Sequence, residues 1–203
     1  MSETAILTEG LAKRYGRFHA LHGLDLAVPQ GAVFGFLGPN GAGKTTTIRL
    51  LLDIIRPTAG RTRVLGRDPR AEGVAVRRRV GYLPGDLPIA GRQTARELLT
   101  FLGHLRGGVD RERIDALTER LELDLSRPIR ALSKGNRQKV GLVQAFMHRP
   151  ELLILDEPTN GLDPAGMAEM RDFIRALGKG GRTVLLSSHL MGEVEQVTDR
   201  VGV

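Results

Sequence analysis

"GPNGAGKTT", from Gly38 to Thr46, decides how this chain is read. It fits the pattern G-x-x-x-x-G-K-[ST], and it lies between "AVFGFL" (32–37), a short buried-strand pattern, and "KTTTIRLLLDII" (44–55), a helical one. Glycines remove Cβ atoms, so successive backbone N–H groups can curl around anionic oxygens. The following helix adds its positive N-terminal end. The spacing predicts a phosphate cradle made of Gly38, Pro39, Asn40, Gly41, Ala42, Gly43, Lys44, Thr45 and Thr46. Lys44 reaches the β- and γ-phosphates of a nucleotide, and the Thr45 hydroxyl ligates Mg²⁺.

Outward from this loop, apolar runs alternate with helical patterns. "TRVLG" (62–66) and "RVGYLP" (79–84) read as strands, and "LLILD" (152–156) and "TVLLSS" (183–188) are continuous apolar runs, each followed by a helical segment. Such alternation predicts an α/β fold with a largely parallel sheet flanked by helices. Between Gln93 and Gln144 the strand pattern is missing. Leu98, Leu99, Phe101, Leu102 and Leu105 mark one amphipathic helix, and Ile114, Leu117 and Leu121 a second. This predicts a helical subdomain inserted at about 90–145.

Two further stretches bring chemistry to the strand ends, where open α/β sheets bind ligands. "LLILDEP" (152–158) ends a buried strand in two acids. Asp156 is expected to hold Mg²⁺ through its water shell, and Glu157 to polarise an attacking water. "SSHL" (187–190) puts His189 on the same edge, where a neutral imidazole bridges the γ-phosphate and the water. "LSKGNRQKVG" (132–141) reads as another helix start suited to a phosphate: Ser133 caps, Gly135 lets the backbone approach, and Asn136 and Gln138 offer amides. The chain already has a phosphate loop, so this second one needs a second phosphate.

Composition narrows the classes. The chain has 203 residues, 41% hydrophobic and 26% charged, with no cysteine and a net charge of +7. Without cysteine there is neither a disulfide framework nor a thiolate metal site. The N-terminus has no basic region followed by an apolar core, so no secretory signal is expected, and no run is long enough to span a membrane. Aromatics make up 4% of the chain, which leaves no stacking platform for bases, and no nucleic-acid partner is expected.

Taken in order, these stretches resemble the ATP-binding subunits of ABC transporters. "GPNGAGKT" looks like the Walker A motif, "LSKGN" like the signature motif, "LLILDEP" like Walker B and "NGLD" (160–163) like the D-loop. His189 matches the switch histidine, and Tyr15 in "LAKRYG" the aromatic that stacks on adenine. The resemblance covers nearly the whole chain and implies a P-loop NTPase core with an N-terminal antiparallel β region, residues 1–203 forming a single ATP-binding domain. It implies ATP and Mg²⁺, and hydrolysis with Glu157, His189 and Lys44 as catalytic groups. It also implies a head-to-tail dimer in which Ser133, Gly135 and Asn136 contact the partner subunit's ATP, with Asp163 both capping a helix and meeting the partner. A membrane-spanning permease follows as the other partner, with the domain peripheral on the cytoplasmic face and export as the expected direction. Rivals are a soluble ABC-type ATPase acting on ribosomes or DNA, a module that binds ATP without turnover, and a P-loop kinase.

The signature departs from the family pattern at Lys134 and Asn136 but keeps Ser133 and Gly135. Gly85, in "GYLPGD", stands where relatives commonly carry a Gln that helps ligate Mg²⁺. A water is expected there, with Asp86 either ordering it or facing solvent. Relatives also continue beyond "DRVGV", so the C-terminal end is expected to be truncated.

Overall fold

The computed structural model describes residues 3–202. Two sheets carry the fold. The first is antiparallel, with β1 (Thr4–Tyr15) between β2 (Phe18–Pro29) and β4 (Ala59–Val64). The second is parallel in every pairing, in the order β5 (Val80–Leu83), β6 (Leu152–Asp156), β7 (Thr183–Ser188), β3 (Val33–Leu37), β8 (Arg200–Gly202).

The apolar runs of β6 and β7 are buried throughout because both faces of the parallel sheet are covered. Side chains alternate between two cores, as the period of two in a strand requires. Leu153 and Leu155 point to one core with Val184 and Leu186; Leu152 and Ile154 point to the other with Leu185, Phe34 and Phe36. The first core is closed by α3 (Ala95–Leu105), α4 (Arg111–Arg120), α5 (Lys134–Phe146) and α6 (Pro164–Lys179). The second is closed by α1 (Lys44–Leu51), α2 (Gly73–Arg79) and the antiparallel sheet. A short α7 (Met191–Val194) precedes β8.

Between β5 and β6 lie α3, α4, α5 and a 3-10 turn at Ile129–Ala131. Sequence signals set their starts. Thr94 and Glu97 form a capping box on α3, and Asp110 caps α4. Ser133 caps α5, its Oγ accepting from the Asn136 amide at 3.2 Å. Asp163 caps α6 with Pro164 in the first position.

Three expectations need correction. α1 stops at Leu51 rather than 55. Asp53 adopts φ 54 there, its amide bonds the Leu50 carbonyl and the Ile54 amide bonds the Arg49 carbonyl. That pattern closes a helix with a left-handed residue, here an aspartate instead of the usual glycine. The strand expected at 62–66 runs Ala59–Val64, because Leu65 turns at φ 51. In α3 the buried stripe is Ala95, Leu98 and Leu99, with Leu102 partly covered, whereas Phe101 and Leu105 are exposed. Phe101 lies on the flank of the stripe, and Leu105 in the last turn, beyond the packed neighbours.

Candidate functional site

Strand order creates the site. β3 neighbours β7, and β7 neighbours β6, with Leu37 level with Ser188 and Ser187 level with Asp156. The segments that leave these strands, starting at Gly38, Glu157 and His189, therefore emerge side by side at the carboxyl edge. The Gly38 amide bonds the Ser188 carbonyl at 3.2 Å, tying the glycine loop to β7.

Within the loop, Gly41 and Gly43 adopt φ of 85 and 95, a region where side chains are strained. A Cβ on Gly43 would lie 2.8 Å from the Ala20 carbonyl oxygen, so β2 presses directly on the loop. Lys44 is buried at 6% exposure. Its ammonium donates to the carbonyls of Gly38 at 2.6 Å and Pro39 at 3.1 Å, and pairs with Glu157 Oε1 at 3.2 Å. All three donors of the lysine are thus used inside the chain.

Glu157 turns immediately after β6 with φ 48. This left-handed residue is how two adjacent acids reach one site: the chain bends where a continuing strand would send them to opposite faces. Its amide donates to Ser187 Oγ at 3.0 Å, and its Oε2 lies 2.7 Å from His189 Nδ1. Asp156 accepts from Thr45 Oγ1 at 2.9 Å and from Ser187 Oγ at 2.6 Å. Lys44, Thr45, Asp156, Glu157 and His189 thus form one bonded cluster. Ser187 fastens both acids, a role not assigned from the sequence, where it is one of two serines that close the apolar run of β7.

Thr45 and Asp156 together present hydroxyl and carboxylate oxygens, the donor set of a hard cation such as Mg²⁺. Among the described residues no group of three or more His, Cys, Asp or Glu could hold a metal alone. That fits an ion which takes one or two protein ligands and fills its shell from phosphates and water. Gly85 lies against these acids, since a Cβ there would be 3.1 Å from the Asp156 carbonyl oxygen. Asp86 is exposed.

The other expected residues sit elsewhere. Tyr15 ends β1 opposite Phe18, half-exposed, with the Lys13 ammonium 4.8 Å from its ring centre. Ser133, Gly135 and Asn136 line a separate cavity of about 460 Å³ with Lys134, Gly161 and Asp163. Gln138, expected to offer its amide to a phosphate, is instead buried, and donates to the Pro158 carbonyl at 3.4 Å. It sits a full turn into α5, where the helix faces the loop after β6.

The parallel sheet, the glycine loop before α1 and the acids at the end of β6 define a P-loop NTPase. Residues 21–160 match the family described as ABC transporter, and the chain belongs to that family. Among curated relatives, a daunorubicin resistance ATP-binding protein of Streptomyces coeruleorubidus is 47% identical over 209 residues, spanning 100% of this chain and 66% of the relative. A bacitracin transport ATP-binding protein of Bacillus licheniformis is 41% identical over 203 residues, spanning 98% of this chain and 66% of that relative. The chain therefore spans just under two thirds of the length of these relatives. Among solved structures, a Clostridium perfringens component of the ABC transporter complex cbiONQ superposes with a TM-score of 0.84 at 27% identity, covering 98% of this chain and 84% of that one. An ATP-binding subunit of an ABC transporter superposes equally well, TM-score 0.84 at 29% identity, covering 97% and 84%.

Proposed function

We propose that this chain is the ATP-hydrolysing domain of an ABC transporter, and that two such domains pair head to tail around two MgATP to drive a separate membrane-spanning subunit. The observation that carries the reading is the bonded cluster of Lys44, Thr45, Asp156, Glu157 and His189 at the carboxyl edge of the sheet. The names of the relatives, resistance to daunorubicin and transport of bacitracin, support export as the direction.

In this scheme the amides of Gly38 to Thr46 and the start of α1 wrap the phosphates. Lys44 keeps the Gly38 and Pro39 carbonyls and transfers its third donor from Glu157 to a phosphate oxygen. Glu157 is then free to accept a proton from the water that attacks the γ-phosphorus, yielding ADP and phosphate. His189 holds the Glu157 carboxylate in place from the β7 side. Thr45, and Asp156 through water, would hold Mg²⁺, which would offset charge on the phosphate oxygens. Tyr15 stacks on the adenine. Ser133, Gly135 and Asn136 meet the γ-phosphate of the partner's ATP at the start of α5, so hydrolysis loosens the dimer. Residues 90–145 act as the helical subdomain, and the domain works on the cytoplasmic face of the membrane.

Glu157→Gln tests the chemistry. ATP binding is expected to persist while turnover falls by roughly 10²-fold or more. A variant that hydrolyses ATP at the wild-type rate would remove Glu157 from the mechanism.

A further inference from the structure

Tyr15 stands at the tip of the β1–β2 hairpin, paired with Phe18. A hairpin tip is a poor platform by itself, because chain tips are the least tied part of a domain. This tip lies beside the glycine loop: Ala20, two residues along β2 from Phe18, is the residue whose carbonyl presses on Gly43. Leu11 of β1, Leu21 of β2 and Leu50 of α1 form a small core that joins the hairpin to α1.

Past that core, the segment that leaves α1 clasps the end of β1. The Thr58 amide bonds the Ala12 carbonyl at 2.8 Å, and Thr58 Oγ1 accepts from the Arg14 amide at 3.0 Å. Lys13, between them in sequence, folds back instead of extending into water. Its Nζ donates to the Arg56 carbonyl at 2.6 Å and lies over the Tyr15 ring, 4.8 Å from the centre. Arg56 is itself anchored, its Nε 3.2 Å from Oδ1 of Asp53, the left-handed residue that closes α1. Lysine side chains usually keep their ammonium in water, yet Lys13 is half-buried. A bond to the Arg56 carbonyl alone would not require the ammonium to sit over a ring. One face of Tyr15 is therefore covered by a cation, while the residue as a whole remains 48% exposed.

We infer that Lys13 is a positioning residue for the nucleotide base: it fixes the Tyr15 ring from one face, against the loop that leaves α1, and leaves the other face to the adenine. The inference rests on the stacking of adenine on Tyr15. Its physical basis is pre-organisation. A loose aromatic side chain loses torsional freedom when a base stacks on it, and a ring already held by Lys13 has less to lose. The clasp also refers the base platform to the helix that carries the phosphate site. α1 begins with Lys44 and Thr45, and the loop that follows it presents the Arg56 carbonyl that Lys13 grips. Base and phosphates are thus spaced by one helix.

Calorimetric titration of the full chain with MgADP tests this, since ADP carries the base and undergoes no turnover. Tyr15→Ala is expected to weaken binding by about fivefold or more, as loss of a stacked base does. Lys13→Met is expected to weaken it by more than about twofold, and Lys13→Arg, which keeps a cation and its donors, by less than Lys13→Met. In the Tyr15→Ala background, Lys13→Met is expected to add less than about twofold, because a residue that acts through the ring has nothing left to act on. A lysine that only braced the hairpin, or met the phosphates directly, would cost the same with or without the ring, and that result overturns the inference. So does a Lys13→Met chain that binds within about twofold of the unsubstituted one, or a Lys13→Arg loss as large as that of Lys13→Met. Unchanged binding by Tyr15→Ala would overturn the stacking itself, and the inference with it.

Discussion

The loop before α1 and the loop before α5 both bring a glycine to a helix N-terminus, yet they are furnished differently. Around the first, Lys44 is buried with its three donors filled, β2 presses on Gly43, and two strand-end acids close over it. Around the second, Ser133 and Lys134 are exposed, and the Ser133 hydroxyl does no more than cap its own helix. Gly135 has space: a Cβ there would meet Leu162 Cδ2 at an ordinary 3.5 Å. One loop has the parts of a reaction centre within its own chain. The other has a helix end, a hydroxyl and an amide at a cavity shared with Gly161 and Asp163, and in the proposed scheme its reacting partner comes from a second chain.

The largest effect that would sharpen this contrast is at Lys44. Lys44→Ala is expected to lower ATP affinity by about 10²-fold or more, because charge-assisted bonds to phosphate are lost. Calorimetric titration measures it; an affinity within threefold of the unsubstituted chain would break the contrast from the first side.

The glycines give the next effect. Gly43→Ala forces a Cβ to 2.8 Å from the Ala20 carbonyl oxygen at φ 95, so stability is expected to fall by about 1–3 kcal/mol. Gly135→Ala adds a methyl at ordinary contact distance from Leu162, and the monomer is expected to hold its stability within about 0.5 kcal/mol. Urea unfolding of both variants separates them. Equal losses would mean that the two loops are equally built into the fold.

How far the sequence carried varied by element. The bounds of β6 and β7 were readable because continuous apolar runs end in polar residues at both places. The glycine loop was readable because its residue types are dictated by backbone geometry. The end of α1 was hidden, since "LLLDII" stays apolar and the stop is an aspartate in a left-handed conformation. Phe101 and Leu105 misled for a similar reason: periodicity shows which residues share a helix face, and packing decides how much of that face is covered. Within the site, the residue types were visible but their pairing was not. The Lys44–Glu157 contact and the double role of Ser187 depend on which strands are neighbours, a long-range fact that no local pattern carries.

The central claim is that the Ser133 loop completes the ATP site of a second chain. Sedimentation velocity of Glu157→Gln with MgATP tests it most directly, compared with the same chain also carrying Ser133→Arg. The account predicts a dimer for the first, and for the second a monomer that still binds ATP, because an arginine at the start of α5 blocks the partner's γ-phosphate without touching the chain's own glycine loop. A doubly substituted chain that dimerises at the same concentrations would contradict it.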